Sequence, residues 1–407
     1  MSEILFLAHR IPFPPDRGDK IRSHHILKRL AGLAPVHVAT FVETAEDAAQ
    51  EAGLAALAAS HCVVRRSRPV PLATLEAMAT GRPVSLTAFA SARLRGYVAK
   101  VLRERPIGAI VVFSGQMAQY VPREFPGTVV MDFVDVDSAK FEDYAQRAAF
   151  PVSVLYRREA RLLSAFEAQV AGRAACSLLA TPEEAALFAS RLPQDSTAVV
   201  RAMSNGIDAE FYDPAGNPGS AGLLRAGPHI VFTGQMDYPP NVEAVTFFAR
   251  EVMPIVRKAL GDAHFHIVGR APTTKVESLD GTNGTSVTGA VPDVRPWIAR
   301  ADLIVAPLLI ARGVQNKVLE AMAMGRPVLA TSAAATGIGA RNGVELAVAD
   351  GAEALASRAV ELLEDGEEAG RMGLAARAFV MREKAWDAVL APLDALCRAK
   401  ARPRNAA

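Results

Sequence analysis

The sequence predicts an α/β chain built as two Rossmann-like parallel-sheet domains in tandem. Three observations lead there. Short apolar runs alternate with helix-forming segments, the rhythm of βαβ units. That rhythm starts at Ile4 and restarts at His229, each time as strand, loop and helix. The length of 407 residues exceeds one ordinary domain and suits two. Between the halves, Pro214 to Gly227 has the Gly, Pro and Ser content of a linker. The expected division is residues 1–203, residues 204–380, and a terminal stretch 381–407 whose helix crosses back to the first domain.

Composition narrows the function classes. Half the residues are hydrophobic and 22% are charged, an ordinary globular balance. A formal net charge of +2 gives no footprint for nucleic acid. Cys62, Cys176 and Cys397 are few, odd in number and widely spaced, which argues for a reducing compartment and against a disulfide framework or zinc site. The first residues lack a signal-peptide pattern, and no apolar run reaches membrane-spanning length. The expected location is the cytoplasm.

In the first half, Ile4 to Ala8 reads as a buried strand, His9 to Lys20 as a long loop, and Ile21 to Leu33 as a helix. Open α/β sheets bind ligands beyond the carboxyl ends of their strands, where this loop stands. It lacks GxGxxG spacing, so no nicotinamide cofactor is indicated. Val36 to Phe41 is the second strand, and an Ala-rich helix runs to Ser60. From Arg65 to Arg105, nine basic residues face only Glu76 and Glu104, with apolar residues interleaved. This pattern suits a solvated basic face or an anionic membrane surface. Ala109 to Phe113 and Thr128 to Asp132 are the next strands. Phe133 to Ser138 follows at a catalytic-loop position. There Asp132, Asp135 and Asp137 cluster with Lys140. Asp135 and Asp137 are candidate catalytic carboxylates that could orient or deprotonate a hydroxyl. Asp137 or Ser138 equally suits an N-cap. Lys140 to Ala171 reads as a long helical stretch rich in Arg, Glu and Ala. Ser177 to Ala180 is a strand, Thr181-Pro182-Glu183-Glu184 a helix start, and Ala198 to Ala202 the last strand of the half.

In the second half, His229 to Thr233 is a strand, Gly234 to Asn241 its loop, and a helix begins at Val242. His264 to Val268 is a strand ending at Gly269-Arg270. Ser286 to Thr288 is another, with the loop Gly289 to Asp293 after it. Leu303 to Ala306 has the short apolar run of a strand buried on both faces. Pro307 stops it, Gly313 opens a loop, and Asn316 to Met324 is helical in composition. Gly325 stands at the C-cap position with Pro327 beyond, and Val328 to Ala330 starts the next strand. The loop Gly313-Val314-Gln315 and the helix after it would point free N–H groups and a positive dipole end at a ligand, most often phosphate. Lys317 can reach that phosphate as a point charge. Glu320, one turn on, shares its face and can accept hydrogen bonds from ribose hydroxyls. A surface Lys–Glu pair is the plain alternative. Val344 to Val348 is a last strand, and helices, including one containing Trp386, run to Ala399.

One segment imitates this motif. Leu75-Glu-Ala-Met-Ala-Thr-Gly-Arg-Pro-Val84 matches Leu319-Glu-Ala-Met-Ala-Met-Gly-Arg-Pro-Val328 at every position but one. Context separates them: Glu320 follows a strand, a glycine loop and a lysine, whereas the residues before Glu76 show no strand and no glycine. The two copies use one helix-stop grammar and are not an internal repeat.

Gly313, Lys317, Leu319-Glu320-Ala321-Met322-Ala323 and Gly325-Arg326-Pro327-Val328 resemble the C-terminal signature of the retaining glycosyltransferases of family 4, which have the GT-B fold. The chain to about residue 390 resembles the sugar transferases associated with the PEP-CTERM/exosortase exopolysaccharide system. Asn205-Gly206-Ile207-Asp208 matches the family's interdomain linker. The family's motif has a second, earlier Glu that contacts the donor sugar; here that position is Arg312. The resemblance implies two Rossmann-like domains facing a cleft. It implies a nucleotide diphosphate sugar held by Gly234, Arg270, Val291, Gly313, Val314, Gln315, Lys317 and Glu320, with Val291 at the base and Arg270 and Gly234 near the diphosphate. It places Gly18 near the reaction centre, with Asp19, Lys20 and Arg22 on the acceptor side. Lys317 would stabilise the leaving diphosphate in place of a metal, so neither metal nor cofactor is expected. The implied partners are a nucleotide sugar and a glycan or lipid-linked acceptor, with peripheral contact at the inner face of the cytoplasmic membrane. A nucleotide-sugar epimerase and a non-catalytic nucleotide-sugar-binding protein are the alternative readings.

Overall fold

The computed structural model describes residues 2–216, 226–311 and 314–398. They divide into two compact units, Met1–Asn205 with Val389–Ala407, and Gly206–Ala388. The arginine and glycine at 312 and 313 lie outside the described residues.

The first unit holds seven parallel strands: β1 (Glu3–Ala8), β2 (Val36–Val42), β3 (Ser60–Arg65), β4 (Ile107–Phe113), β5 (Thr128–Val134), β6 (Cys176–Leu179) and β7 (Val200–Ala202). Their order is β3-β2-β1-β4-β5-β6-β7. Every residue of β1 and β2 is buried, as a sheet covered on both faces requires. The second unit holds β8 (His229–Thr233), β9 (His264–Val268), β10 (Thr285–Gly289), β11 (Leu303–Ala306), β12 (Val328–Ala330) and β13 (Ala347–Val348), in the order β10-β9-β8-β11-β12-β13. In both sheets the chain winds one way from the first strand, then returns to add the fourth on its other side. That reversal, between β1 and β4 and between β8 and β11, is the topological switch point where open sheets bind ligands.

The second unit follows the sequence closely. The Asn316–Ala323 helix ends in a Schellman turn: Gly325 N–H donates to Met322 O at 3.0 Å and Arg326 N–H to Ala321 O at 3.1 Å, with Gly325 at φ 65°. The first unit departs in three places. Ser60–Arg65 is a half-exposed edge strand where the sequence reading ended a helix at Ser60 and placed no strand; its apolar run, Cys62 to Val64, is only three residues long. The 140–171 stretch is two helices, Asp137–Arg147 and Val152–Ala171, parted at Phe150-Pro151. The Arg65–Arg105 stretch is not one amphipathic element but three helices, Val70–Thr80, Val84–Ala88 and Ala92–Glu104. The strand β3 therefore precedes the Glu76 helix, so strand context does not separate the two motif copies; their partners do. Among the described residues no helix is long and apolar enough to cross a membrane.

Candidate active site

The switch point of the second unit places the β8 loop beside the β11 loop. Gly234 leaves β8, and its N–H donates to Val268 O at 3.1 Å. A Cβ on Gly234 would stand 2.9 Å from Asn241 Nδ2 and 3.1 Å from Lys317 Nζ. A Cβ on Gly269 would meet the Gly234 carbonyl at 1.6 Å. Two loops from different strands thus close on each other only because both positions are glycine.

Lys317 enters from the other side, in the first turn of the Asn316–Ala323 helix. Its ammonium donates to Asn241 Oδ1 at 2.5 Å and stands 4.2 Å from the centre of the Phe232 ring. Asn241 is buried, and its Nδ2 donates to Gln235 O at 2.8 Å, so the amide is oriented from both ends. Burial lowers the Lys317 pKa to about 8, with Glu320 pulling the other way. An ammonium this poorly solvated gains most from an incoming anion. Gln315 is the N-cap residue; its carbonyl takes the Val318 N–H at 3.0 Å, and no acceptor within the helix can serve the N–H groups of Asn316 and Lys317. Ammonium and helix N-terminus together can hold an anion.

Glu320 lies one turn behind Lys317. Burial raises its pKa, while a hydrogen bond from the Tyr212 hydroxyl and the Lys317 charge favour its carboxylate. Tyr212 is held in turn: its carbonyl accepts from Arg377, which also donates to Ala323 O at the end of the same helix. Glu76, the imitating residue, instead pairs with Arg68 at 2.6 Å near the surface.

Arg270 is exposed beside Gly234, donates to Gln235 Oε1 at 3.1 Å, and accepts Met236 N–H on its carbonyl at 2.9 Å. Val291, beyond β10, and Val314 pack against the core of the unit. Gly313 lies outside the described residues. The structure therefore gathers Gly234, Gln235, Arg270, Lys317 and Glu320 about one switch point. Asn241 and Tyr212 were missed by the sequence reading. Asn241 carried no local signal; Tyr212 was part of the aromatic stretch after Ile207-Asp208.

In the first unit, Asp135 and Asp137 stand beyond β5 and share Lys140, at 2.7 and 3.3 Å. Burial raises the Asp137 pKa despite Lys140. The loop between them is held from below: Glu184 accepts Val136 N–H at 2.8 Å, and Glu167 accepts Ser138 N–H at 3.0 Å and its hydroxyl at 2.5 Å. Gly18 begins the Gly18–Leu33 helix, and a Cβ there would meet nothing within 4 Å, so the helix start is open. Asp19 is partly buried, which raises its pKa, but His9 and Arg10 overcome this and hold it well below the ordinary range. His9, also unforeseen, stacks on Phe113 at 5.5 Å between ring centroids, its Nε2 3.5 Å from Asp19.

Lys20 and Arg22 do not face outward. Lys20 is buried in an ion pair with Asp47 at 2.6 Å and also donates to Phe13 O. Arg22 is 1% exposed and forks onto Asp132 at 2.8 and 3.2 Å, its remaining nitrogen reaching Ser204 O and Asn205 Oδ1. Their charges are satisfied inside the unit, and Asp132 is engaged by Arg22. Among the described residues no cluster of His, Cys, Asp or Glu could hold a metal ion.

Residues 227–365 match the family model described as glycosyl transferases group 1. No curated protein matches the chain. Among solved structures the chain is similar to Anabaena Alr3699/HepE in complex with UDP and glucose, with TM-score 0.58 and 14% identity over 97% of this chain and 98% of that one. It is similar to sucrose-phosphate synthase from Thermosynechococcus elongatus, with TM-score 0.58 and 16% identity over 98% of each chain. It is also similar to WaaG, a glycosyltransferase involved in lipopolysaccharide biosynthesis, with TM-score 0.54 and 17% identity over 97% of this chain and 100% of that one. The structural matches carry the fold across both units, and the family match lies within the second. The chain is an enzyme of the glycosyltransferase class with the GT-B fold.

Proposed function

We propose that the chain moves a glycosyl group from a nucleotide diphosphate sugar to a hydroxyl of a lipid-linked glycan, in exopolysaccharide assembly of the PEP-CTERM-associated kind, with retention at the anomeric carbon. The second unit holds the donor and the first the acceptor. The observation that carries this reading is the Lys317 ammonium, oriented by Asn241 over Gly234 at the switch point, with Glu320 one turn behind. Lys317, Arg270 and the first-turn N–H groups meet the charge that develops on the leaving diphosphate. Glu320 accepts from the ribose, and Val291 lies toward the base. Asp137 orients the acceptor hydroxyl. HepE binding UDP and the WaaG role in lipopolysaccharide synthesis support the donor class and an acceptor of this type. The protein works at the inner face of the cytoplasmic membrane.

The test is turnover. The full chain is incubated with a panel of nucleotide sugars, with and without a lipid-linked glycan and with and without EDTA. Product that requires both substrates and survives chelation is the expected result. Conversion of nucleotide sugar alone would indicate an epimerase, binding without turnover a binding protein, and loss with EDTA a metal-dependent route.

A further inference from the structure

The Val70–Thr80 helix breaks the usual division between a core face and a solvent face. Its inward residues, Ala73 and Ala77, are fully buried. Its outward residues, Leu72, Leu75 and Met78, are also apolar, with Leu75 69% exposed. A helix apolar all round normally has both sides covered.

A second exposed apolar element stands beside it. The helices Asp137–Arg147 and Val152–Ala171 form a hairpin, tied by the rings of Phe141, Tyr144 and Tyr156, each pair 5.8 Å between centroids. At its tip Phe150 is 83% exposed, followed by exposed Val152 and Val154. The hairpin is joined to the first helix: Arg158 donates to Ala77 O at 2.7 Å and to Arg82 O at 3.3 Å, and Glu159 accepts from Val84 and Ser85 N–H. Val154 lies one helical turn before Arg158, on the same side. Of nine exposed large apolar side chains in the first unit, eight belong to these two elements, among the described residues. The patch is therefore concentrated, not scattered.

Charge decides what covers it. With the whole first hairpin helix counted, residues 65–82 and 137–161 contain nine basic and five acidic residues, a net +4, in a chain whose net charge is only +2. Arg65, Arg147, Arg157 and Arg161 are exposed. A second copy of this chain would bring the same excess of arginine against itself. An anionic bilayer surface offers acyl chains for the apolar side chains and headgroups for the guanidinium groups.

We propose that the Val70–Thr80 helix and the tip of the Asp137–Val154 hairpin form a two-pronged surface that inserts apolar side chains into the headgroup region of an anionic membrane. It refines the membrane contact of the preceding reading. That contact drew its charge from Arg65–Arg105; here Arg66 and Arg68 are tied to Glu43 and Glu76, and anchoring falls to apolar insertion.

The experiment is co-sedimentation of the full chain with vesicles of neutral phosphatidylcholine, or of phosphatidylcholine with 30% phosphatidylglycerol (about 30%, a customary mixture), at low and high salt. Binding to anionic vesicles is expected, with a fraction surviving high salt. Leu72→Ser/Leu75→Ser/Met78→Ser should lower the partition about tenfold or more at both salts, and Phe150→Ser should lower it severalfold. Arg157→Ser/Arg161→Ser should lower only low-salt binding. Far-ultraviolet dichroism and binding of UDP or GDP, measured on the same variants, separate misfolding and failure of the donor reading from failure of this surface. Wild-type partition in the triple variant, loss of all wild-type binding at high salt, or a dimer in light scattering that the triple variant abolishes would each overturn the proposal.

Discussion

Lys317 Nζ donates to Asn241 Oδ1 at 2.5 Å, joining the helix after β11 to the Pro239–Phe247 helix that follows β8. This contact fixes a partly desolvated positive charge at the switch point. Asn241→Ala would leave the ammonium without its acceptor. Affinity for a nucleoside diphosphate is expected to fall about five- to thirtyfold, or about 1–2 kcal/mol, with the fold intact. Calorimetric titration with thermal unfolding as control checks it.

The lowered Lys317 pKa gives donor binding a pH dependence. The ammonium is charged below about 8 and neutral above it, so affinity for the diphosphate should hold up to pH 8 and then decline by up to about tenfold per pH unit. Lys317→Arg should flatten the decline, because guanidinium stays charged. Titrations from pH 7.5 to 9.5 (roughly the window around that pKa) read both curves.

Glu320 and Glu76 share one local sequence, and only Glu320 stands beside Lys317 with the Tyr212 hydroxyl on its carboxylate. Glu320→Ala should weaken nucleoside diphosphate binding about tenfold while leaving inorganic pyrophosphate unaffected, since pyrophosphate has no ribose. Glu76→Ala should change neither. Equal loss of both ligands in Glu320→Ala would assign the residue to the phosphates.

Those two copies mark how far sequence reasoning reaches. The β11 strand, the Asn316–Ala323 helix and its Gly325 stop were legible because apolar runs, capping and left-handed glycine are local signals. The repetition of the same grammar at Leu75 to Val84 carried no information about destination. The edge strand β3 was not legible, because strands read as buried runs and this one is half-exposed. Lys20 and Arg22 looked like surface charges; their partners Asp47 and Asp132 lie 27 and 110 residues away. Asn241 was hidden for the same reason, its partner Lys317 lying 76 residues on.

The Arg22–Asp132 pair should behave as structure. Removing one partner strands a buried charge, so Arg22→Ala is expected to cost about 3–5 kcal/mol of stability. The double replacement Arg22→Met/Asp132→Leu should cost less than Arg22→Ala alone. Urea unfolding of the wild type and the two variants reads this comparison. A stable Arg22→Ala protein with impaired transfer would instead restore Arg22 to the acceptor side.

The central claim is that the switch point of the second unit, with Lys317 at its mouth, is the donor diphosphate site. Calorimetric titration of the wild type and Lys317→Ala with UDP and GDP tests it most directly. Saturable binding of at least one nucleotide is expected, weakened about thirtyfold or more in Lys317→Ala, about 2 kcal/mol, without loss of thermal stability. Binding of equal strength in the two proteins would contradict the account.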